Sequence, residues 1–338
     1  MSREVFAAAH VVAADEKTVD WDATLRFRHH LWDLGLGVAE AMDTAQRGMG
    51  LDWPTAAELI KRSAAEATGR ICAGVGTDHL RGEVTLTDVI TAYEQQLDVV
   101  QGAGAQPVLM CSRQLAATAK SPEDYANVYG RLLRTTDQPV ILHWLGPAFD
   151  PALKGYWGDE NTEAATDNFL EIIKANSAKI DGVKVSLLDA GHEIGLRRKL
   201  PPGVRCYTGD DFNYPELIEG DEHGYSDALL GIFDPIAPVA AQAIKELDDN
   251  PAEFRRIIDP TVPLSRHLFS APTYYYKTGV VFLAWLAGHQ DHFVLLDGLQ
   301  TARTVGHLAE AKRLAELAGV IDPDEADRRW SQWLADSH

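Results

Sequence analysis

Lys184 is the one cation in the stretch Ile180-Asp181-Gly182-Val183-Lys184-Val185-Ser186-Leu187-Leu188-Asp189. The apolar run around it is too short for a helix core, and it lies between two helix-like segments, Thr162 to Ala178 and Ala190 to Leu200. That pattern predicts a strand of a βα repeat, buried on both faces. A lysine inside such a strand is costly to desolvate unless it is paired or neutral, and burial lowers its pKa. A neutral amine can attack a carbonyl carbon and form a Schiff base. The alternative is a lysine that snorkels from the strand end into a salt bridge with an acid such as Asp210.

Other side chains could serve that chemistry. His143 closes the apolar run Pro139 to Leu145 and is either a general acid/base within reach of a Lys184 adduct or a histidine satisfied by backbone. Arg47, on a glycine-flanked loop, can clamp a carboxylate or phosphate with its planar fork; otherwise it is a surface arginine. Thr44 and Gln46 share that loop. Asp210 and Asp211 would bind substrate hydroxyls, pair with Lys184, or only shape a strand-end turn. His29-His30 reads as a solvated face or core histidines rather than a metal site. Tyr274-Tyr275-Tyr276 before Lys277 reads as packing.

The elements that must position these residues alternate along the chain. Strands are expected at Val5 to Val12, Gly37 to Met42, Ile71 to Val75, Pro107 to Met110, Pro139 to Leu145, the Lys184 stretch, Val204 to Thr208 and Ser226 to Phe233. Amphipathic segments separate them: Trp21 to Leu34, Ala56 to Ala67 after Pro54, Leu86 to Gln101, Ser121 to Leu133, and Pro238 to Leu247 at the end. Eight such units predict an α/β fold, a (β/α)8 TIM barrel over residues 1–250. Thr273 to Ala287, Thr301 to Ala318 and Asp324 to Leu334 predict a C-terminal helical extension over 251–338, packed on the barrel. In such barrels chemistry lies at the C-terminal strand ends. These ends carry His10, Asp43, Thr44, Gln46, Arg47, Thr77, Asp78, Ser112, His143, Lys184, Ser186, Asp210, Asp211 and Asp234. Val183 and Val185 take the helix-facing side, which turns Lys184 inward.

The formal charge of −19 argues against non-specific binding to nucleic acid or an anionic membrane. Cys72, Cys111 and Cys206 lack CxxC spacing, so the expected setting is a reducing cytoplasm without disulfides or a zinc knuckle. The opening segment is interrupted by His10 and carries Glu4 beside Arg3, unlike a signal peptide. No apolar run approaches the ~20 residues of a membrane helix.

These residues resemble the dihydrodipicolinate synthase and N-acetylneuraminate lyase superfamily of class I aldolases. Asp181-Gly182-Val183-Lys184, with Ser186 and Asp189, is similar to its Schiff-base strand. Tyr207-Thr208-Gly209-Asp210-Asp211 resembles its Gly-Asp-Asp turn, and Ala73-Gly74-Val75-Gly76-Thr77 its strand-three segment. Pro139-Val140-Ile141-Leu142-His143 resembles the run before its catalytic tyrosine. The order and spacing match over about residues 5 to 245. Two positions depart. His143 stands in place of the proton-relaying tyrosine, and Thr44-Ala45-Gln46-Arg47-Gly48 stands where the family has the Gly-Thr-Thr-Gly-Glu loop that grips a 2-keto acid.

The resemblance implies imine chemistry at Lys184 on a small keto acid or keto-sugar, without a cofactor, in a homo-oligomer (dimer or tetramer). In this reading His143 shuttles protons, Arg47 with Gln46 and Thr44 holds the anionic end, and Asp210 and Asp211 bind hydroxyls. The alternative is a metal-dependent isomerase or hydrolase using His10, Asp43, His143 and Asp210. It lacks the His-x-His of binuclear hydrolase barrels, because Ala8 precedes His10 at that spacing. A barrel kept only for binding is the third possibility.

Overall fold

Eight parallel strands close into a barrel in the order β1 to β8 in the computed structural model, which describes residues 3–336. The strands are β1 (Val5–Ala8), β2 (Gly37–Glu40), β3 (Ile71–Val75), β4 (Gln106–Leu109), β5 (Val140–Leu145), β6 (Ile180–Ser186), β7 (Arg205–Thr208) and β8 (Asp227–Leu230). The (β/α)8 expectation is met, with each strand paired in parallel to its sequence neighbours and β1 closing on β8. Residues 1–2 and 337–338, the outer ends of the two expected segments, lie outside the described residues.

Period-two alternation sorts the strand residues into two layers. Phe6, Ala8, Ala39, Cys72, Val108, Ile141, Tyr207 and Leu229 pack together inside the barrel. Val183, Val185, Leu142 and Leu109 take the opposite side and pack under the helices. The inward positions of β6 are therefore Gly182, Lys184 and Ser186. Gly182 must be small because a Cβ there would stand 2.7 Å from the Tyr207 ring. The helices start where the sequence supplies caps: Asp20, Asp52, Asn161 and Asp189 each accept an N–H of the first turn, and Thr85 with Asp88 forms a capping box.

Several boundaries differ from expectation. The β1 ladder stops at Ala8, although the apolar run continues to Val12. The His10 N–H donates to the Asp234 carboxylate at 2.7 Å, in the turn after β8, and the Val12 N–H to Thr24 Oγ1 of the first helix at 3.0 Å, so side chains rather than the sheet take up these N–H groups. Strand β2 ends at Glu40, and β8 spans only Asp227–Leu230. An extra helix, Arg113–Thr118, precedes Pro122–Thr135.

Among the described residues the C-terminal part holds five α-helices rather than three: Pro251–Ile258, Val262–Leu268, Tyr276–Leu286, Val305–Leu317 and Pro323–Asp336. All eleven residues of Tyr276–Leu286 are buried, as its unbroken apolarity dictates. It shares one core with β1, β8 and the first helix, through Val280, Phe282 and Leu283 against Ala7, Ala228, Phe27 and Phe233. Its first turn thereby reaches the C-terminal mouth of the barrel.

Candidate active site

Lys184 lies at the centre of that mouth. In the register of the sheet it stands level with His143 on β5 and Tyr207 on β7. Its side chain is buried, and among the described residues no hydrogen bond or ion pair reaches its Nζ. Burial lowers its pKa below the usual lysine range, against the nearby charges of Asp211 and Asp43, which raise it. Gly209 lets the stem lie flat on the end of β7: a Cβ there would come within 2.7 Å of Lys184 Cε and 2.9 Å of the Val185 carbonyl.

The side chains around the amine come from both ends of the chain. His143 Nε2 bonds Ser186 Oγ at 3.0 Å, while its Nδ1 is buried without a partner. Burial first, and then the Lys184 charge, holds this imidazole well below its usual range, so it is neutral at pH 7. Asp211 accepts from the Ile232 N–H at 2.8 Å. Burial lifts its carboxyl to about 7, against that N–H and the Lys184 charge. Burial thus pushes both Lys184 and Asp211 toward their neutral forms. Thr44 Oγ1 and Tyr276 Oη bond at 2.9 Å, and Lys277 Nζ donates to Asp43 Oδ2 at 2.8 Å.

These groups line a narrow cavity of about 20 Å³, formed by Asp43, Thr44, His143, Lys184, Ser186, Asp211 and Tyr276 among others. That is room for about one water. Asp43, His143 and Leu145 also line a larger cavity of about 310 Å³, which opens past Thr77, Ser112 and Gln114 over the ends of β3 to β5. A small substrate fits there, with its reactive end turned toward the amine.

The residues named from sequence do not all converge on Lys184. Lys184, His143, Thr44 and Asp211 do. Arg47 lines the larger cavity, but its donors are spent within the protein: on Asp78 at 3.0 and 2.5 Å, on Gln96 Oε1 at 2.9 Å, and on the Ala41 and Gly74 carbonyls at 3.1 and 3.2 Å. The expected clamp is therefore a loop-fixing arginine. Burial would raise Asp78, but the guanidinium outweighs it and holds that carboxyl down at about 2. Gln46 is also turned away: its amide brackets the Leu296 backbone, donating to the carbonyl at 3.0 Å and accepting from the N–H at 3.2 Å. Asp210 accepts the Phe212 and Asn213 N–H groups at 2.8 and 3.0 Å, which makes it the strand-end turn rather than a hydroxyl ligand or a salt-bridge partner of Lys184.

The four residues of the metal alternative do not come together either, although Asp43 and His143 share a cavity lining. His10 Nδ1 is held by Asp234 at 2.8 Å beneath Phe27, while Asp43, His143 and Asp210 have the partners given above. Among the described residues no group of three His, Cys, Asp or Glu is arranged to hold a metal ion.

Lys277 and Ser186 have no assigned role on sequence grounds, Asp43 has one only as a metal ligand in the alternative reading, and Tyr276 reads as packing. The signal for Lys277 was present: it is a lone cation in an otherwise apolar helix, the same signature that singles out Lys184. Nothing in the local pattern says which strand ends that helix will cover. The three cysteines are free, and no helix among the described residues is long and apolar enough to cross a membrane.

Together these features define a (β/α)8-barrel protein with a buried, unpaired lysine on the sixth strand. The chain belongs to the family described as "Protein of unknown function (DUF993)", whose model matches residues 1–337. Among solved structures it is similar to a putative dihydrodipicolinate synthetase from Pseudomonas aeruginosa, at 17% identity and TM-score 0.72, covering 94% of this chain and 99% of that one. A dihydrodipicolinate synthase from Acinetobacter baumannii complexed with pyruvate matches at 17% identity and TM-score 0.69, covering 95% and 100%. A 2-keto 3-deoxygluconate aldolase from Picrophilus torridus matches at 16% identity and TM-score 0.63, covering 83% and 93%. At these identities the shared property is the fold, as the sequence resemblance implied.

Proposed function

We propose that this protein is a Schiff-base-forming lyase or aldolase, with Lys184 as the imine-forming amine acting on a small ketone-bearing substrate. The observation that carries this reading is the state of Lys184: buried, inward, without a partner at Nζ, and lowered in pKa by burial. A structural lysine at such a depth would be held by a carboxylate, as Lys277 is by Asp43. The shared barrel with a 2-keto 3-deoxygluconate aldolase and dihydrodipicolinate synthases agrees with it.

In this reaction Nζ attacks the carbonyl carbon and gives a carbinolamine, which loses water to form an iminium ion. When the bond beyond the adjacent carbon breaks, its electron pair flows into the iminium and leaves an enamine. Protonation at carbon and hydrolysis then return the free lysine. The neutral His143 with its unpartnered Nδ1 is suited to carry the protons, and Ser186 orients it through Nε2. A single positioned acid/base contributes on the order of 10²–10⁴ in rate.

The test is reduction with cyanoborohydride in the presence of small ketones, followed by peptide mapping. The expected result is a covalent adduct on Lys184 that disappears in Lys184→Ala. Undiminished carbon–carbon cleavage by that variant would refute the assignment.

A further inference from the structure

We infer that the site selects carbonyl substrates whose carbonyl carbon carries a hydroxymethyl-type group rather than a carboxylate, and that Asp43, held by Lys277, is the residue that enforces the choice. The inference rests on the imine reading of Lys184 and deepens it.

The argument is one of which charge faces the cavity. Asp43 lines both the narrow cavity at Lys184 and the larger one beside it. Its side chain is 24% exposed, whereas the Lys277 side chain that holds it is 0% exposed. The ammonium therefore lies behind the carboxylate, with further bonding to the Tyr274 carbonyl at 3.0 Å. A substrate entering the pocket meets the anion and not the cation. A second acid, Asp211, also lines the narrow cavity.

Among the described residues that line the narrow cavity, Lys184 itself is the one basic amine or guanidine side chain. The Arg47 donors are consumed by Asp78, Gln96 and two carbonyls, and the other arginines of the larger cavity, Arg81 and Arg113, lie exposed at its rim. A carboxylate one bond from the carbonyl carbon attached to Nζ would sit against the Asp43 carboxylate, with Asp211 and the hydroxyls of Thr44, Ser186 and Tyr276 in the same lining. Like charges at such separations repel strongly where water is scarce. A hydroxymethyl group in the same place meets acceptors and donors on every side: the Asp43 carboxylate accepts its proton, and a side-chain hydroxyl donates to its oxygen. Selectivity of this kind is enforced by the repulsive element as much as by the attractive one.

Hydroxyacetone and pyruvate make a matched pair, alike in size and differing in hydroxymethyl against carboxylate. Each is incubated with the full-length protein and cyanoborohydride at equal concentration. Initial rates of adduct formation at Lys184 are divided by the rates with Nα-acetyl-lysine, which removes intrinsic reactivity. The expected result is at least about a tenfold preference for hydroxyacetone in the unmodified protein. In Asp43→Asn, which unmasks the Lys277 charge, pyruvate gains at least about tenfold relative to hydroxyacetone. Because removing Asp43 strands a buried ammonium, Asp43→Asn/Lys277→Met is measured alongside; there the preference falls toward unity. Equal or faster capture of pyruvate by the unmodified protein would overturn the selectivity and leave the imine intact. Absence of any adduct at Lys184 with either ketone would remove the imine and the selectivity together.

Discussion

Gly209→Ala is the sharpest perturbation of the candidate site, because it adds one methyl group behind Lys184 and touches no reacting atom. A Cβ at this position would stand 2.2 Å from Ser186 Oγ, 2.7 Å from Lys184 Cε and 2.9 Å from the Val185 carbonyl oxygen. Carbon–carbon contacts settle near 3.5–4.0 Å, so Cε must retreat by about 1 Å. Ser186 can rotate away, but only by giving up its bond to His143, and the Val185 carbonyl belongs to the sheet and cannot rotate. Misplacing a reacting group by about 1 Å costs on the order of 10²-fold in rate. Overpacking of this kind also costs about 1–3 kcal/mol of stability. The assay is the initial rate of cyanoborohydride-dependent adduct formation at Lys184, beside a thermal melt. Gly195→Ala is the control, since a Cβ there meets nothing within 4 Å. It lies within the helix Ala190–Arg197, so alanine is expected to leave trapping unchanged and to raise stability slightly. Trapping by Gly209→Ala at the unmodified rate would refute the placement of Lys184 against β7.

Asp211→Asn removes a charge that raises the Lys184 pKa, so the acid limb of the trapping-rate profile is expected to move to lower pH; a limb that stays or moves up contradicts this. Glu193 is buried against Ser226 and Thr208, and burial raises its carboxyl to about 8 from an ordinary 4.5. Its folded form holds a proton that the unfolded chain has lost between those values. Stability is therefore expected to fall as pH rises from about 5 to 8, by up to roughly 1 kcal/mol per pH unit, and Glu193→Gln to flatten that fall in melts across the range. Arg28 and Glu40 form a fully buried pair with contacts of 2.9 and 2.8 Å. Arg28→Met strands the carboxylate and is expected to cost about 3–5 kcal/mol in chemical denaturation, with Arg28→Met/Glu40→Gln recovering much of it. A double variant as unstable as the single would contradict the pairing argument.

What the sequence made legible followed from period and burial. The alternation Val183, Lys184, Val185 determined which way the lysine points, because one face of a barrel strand must meet apolar helices. The glycine of Gly209-Asp210-Asp211 was readable as a motif, but its reason, the closeness of Cε, needed three dimensions. Arg47 shows the limit. Its type and loop suggested an anion clamp, yet Asp78 and Gln96, 31 and 49 residues away, take up its donors. Type tells what a side chain can bind, and only the fold tells which partner reaches it first. Asp43 and Lys277, 234 residues apart, illustrate the same point from the other side. Strand limits failed where side chains took up the N–H groups, as at His10 and Val12, because a buried run reads alike on or off the sheet.

The central claim is that Lys184 is a buried amine, open to a carbonyl, whose charged form is disfavoured by burial, and its own titration tests that most directly. Protein labelled with ¹³C at lysine Cε, with the signal assigned by its loss in Lys184→Arg, reports the protonation of each amine as pH is varied. The account predicts that the Lys184 signal titrates below the ordinary lysine value of 10.5 and shifts when hydroxyacetone is added. A midpoint at or above 10.5, unmoved by the ketone, would contradict it.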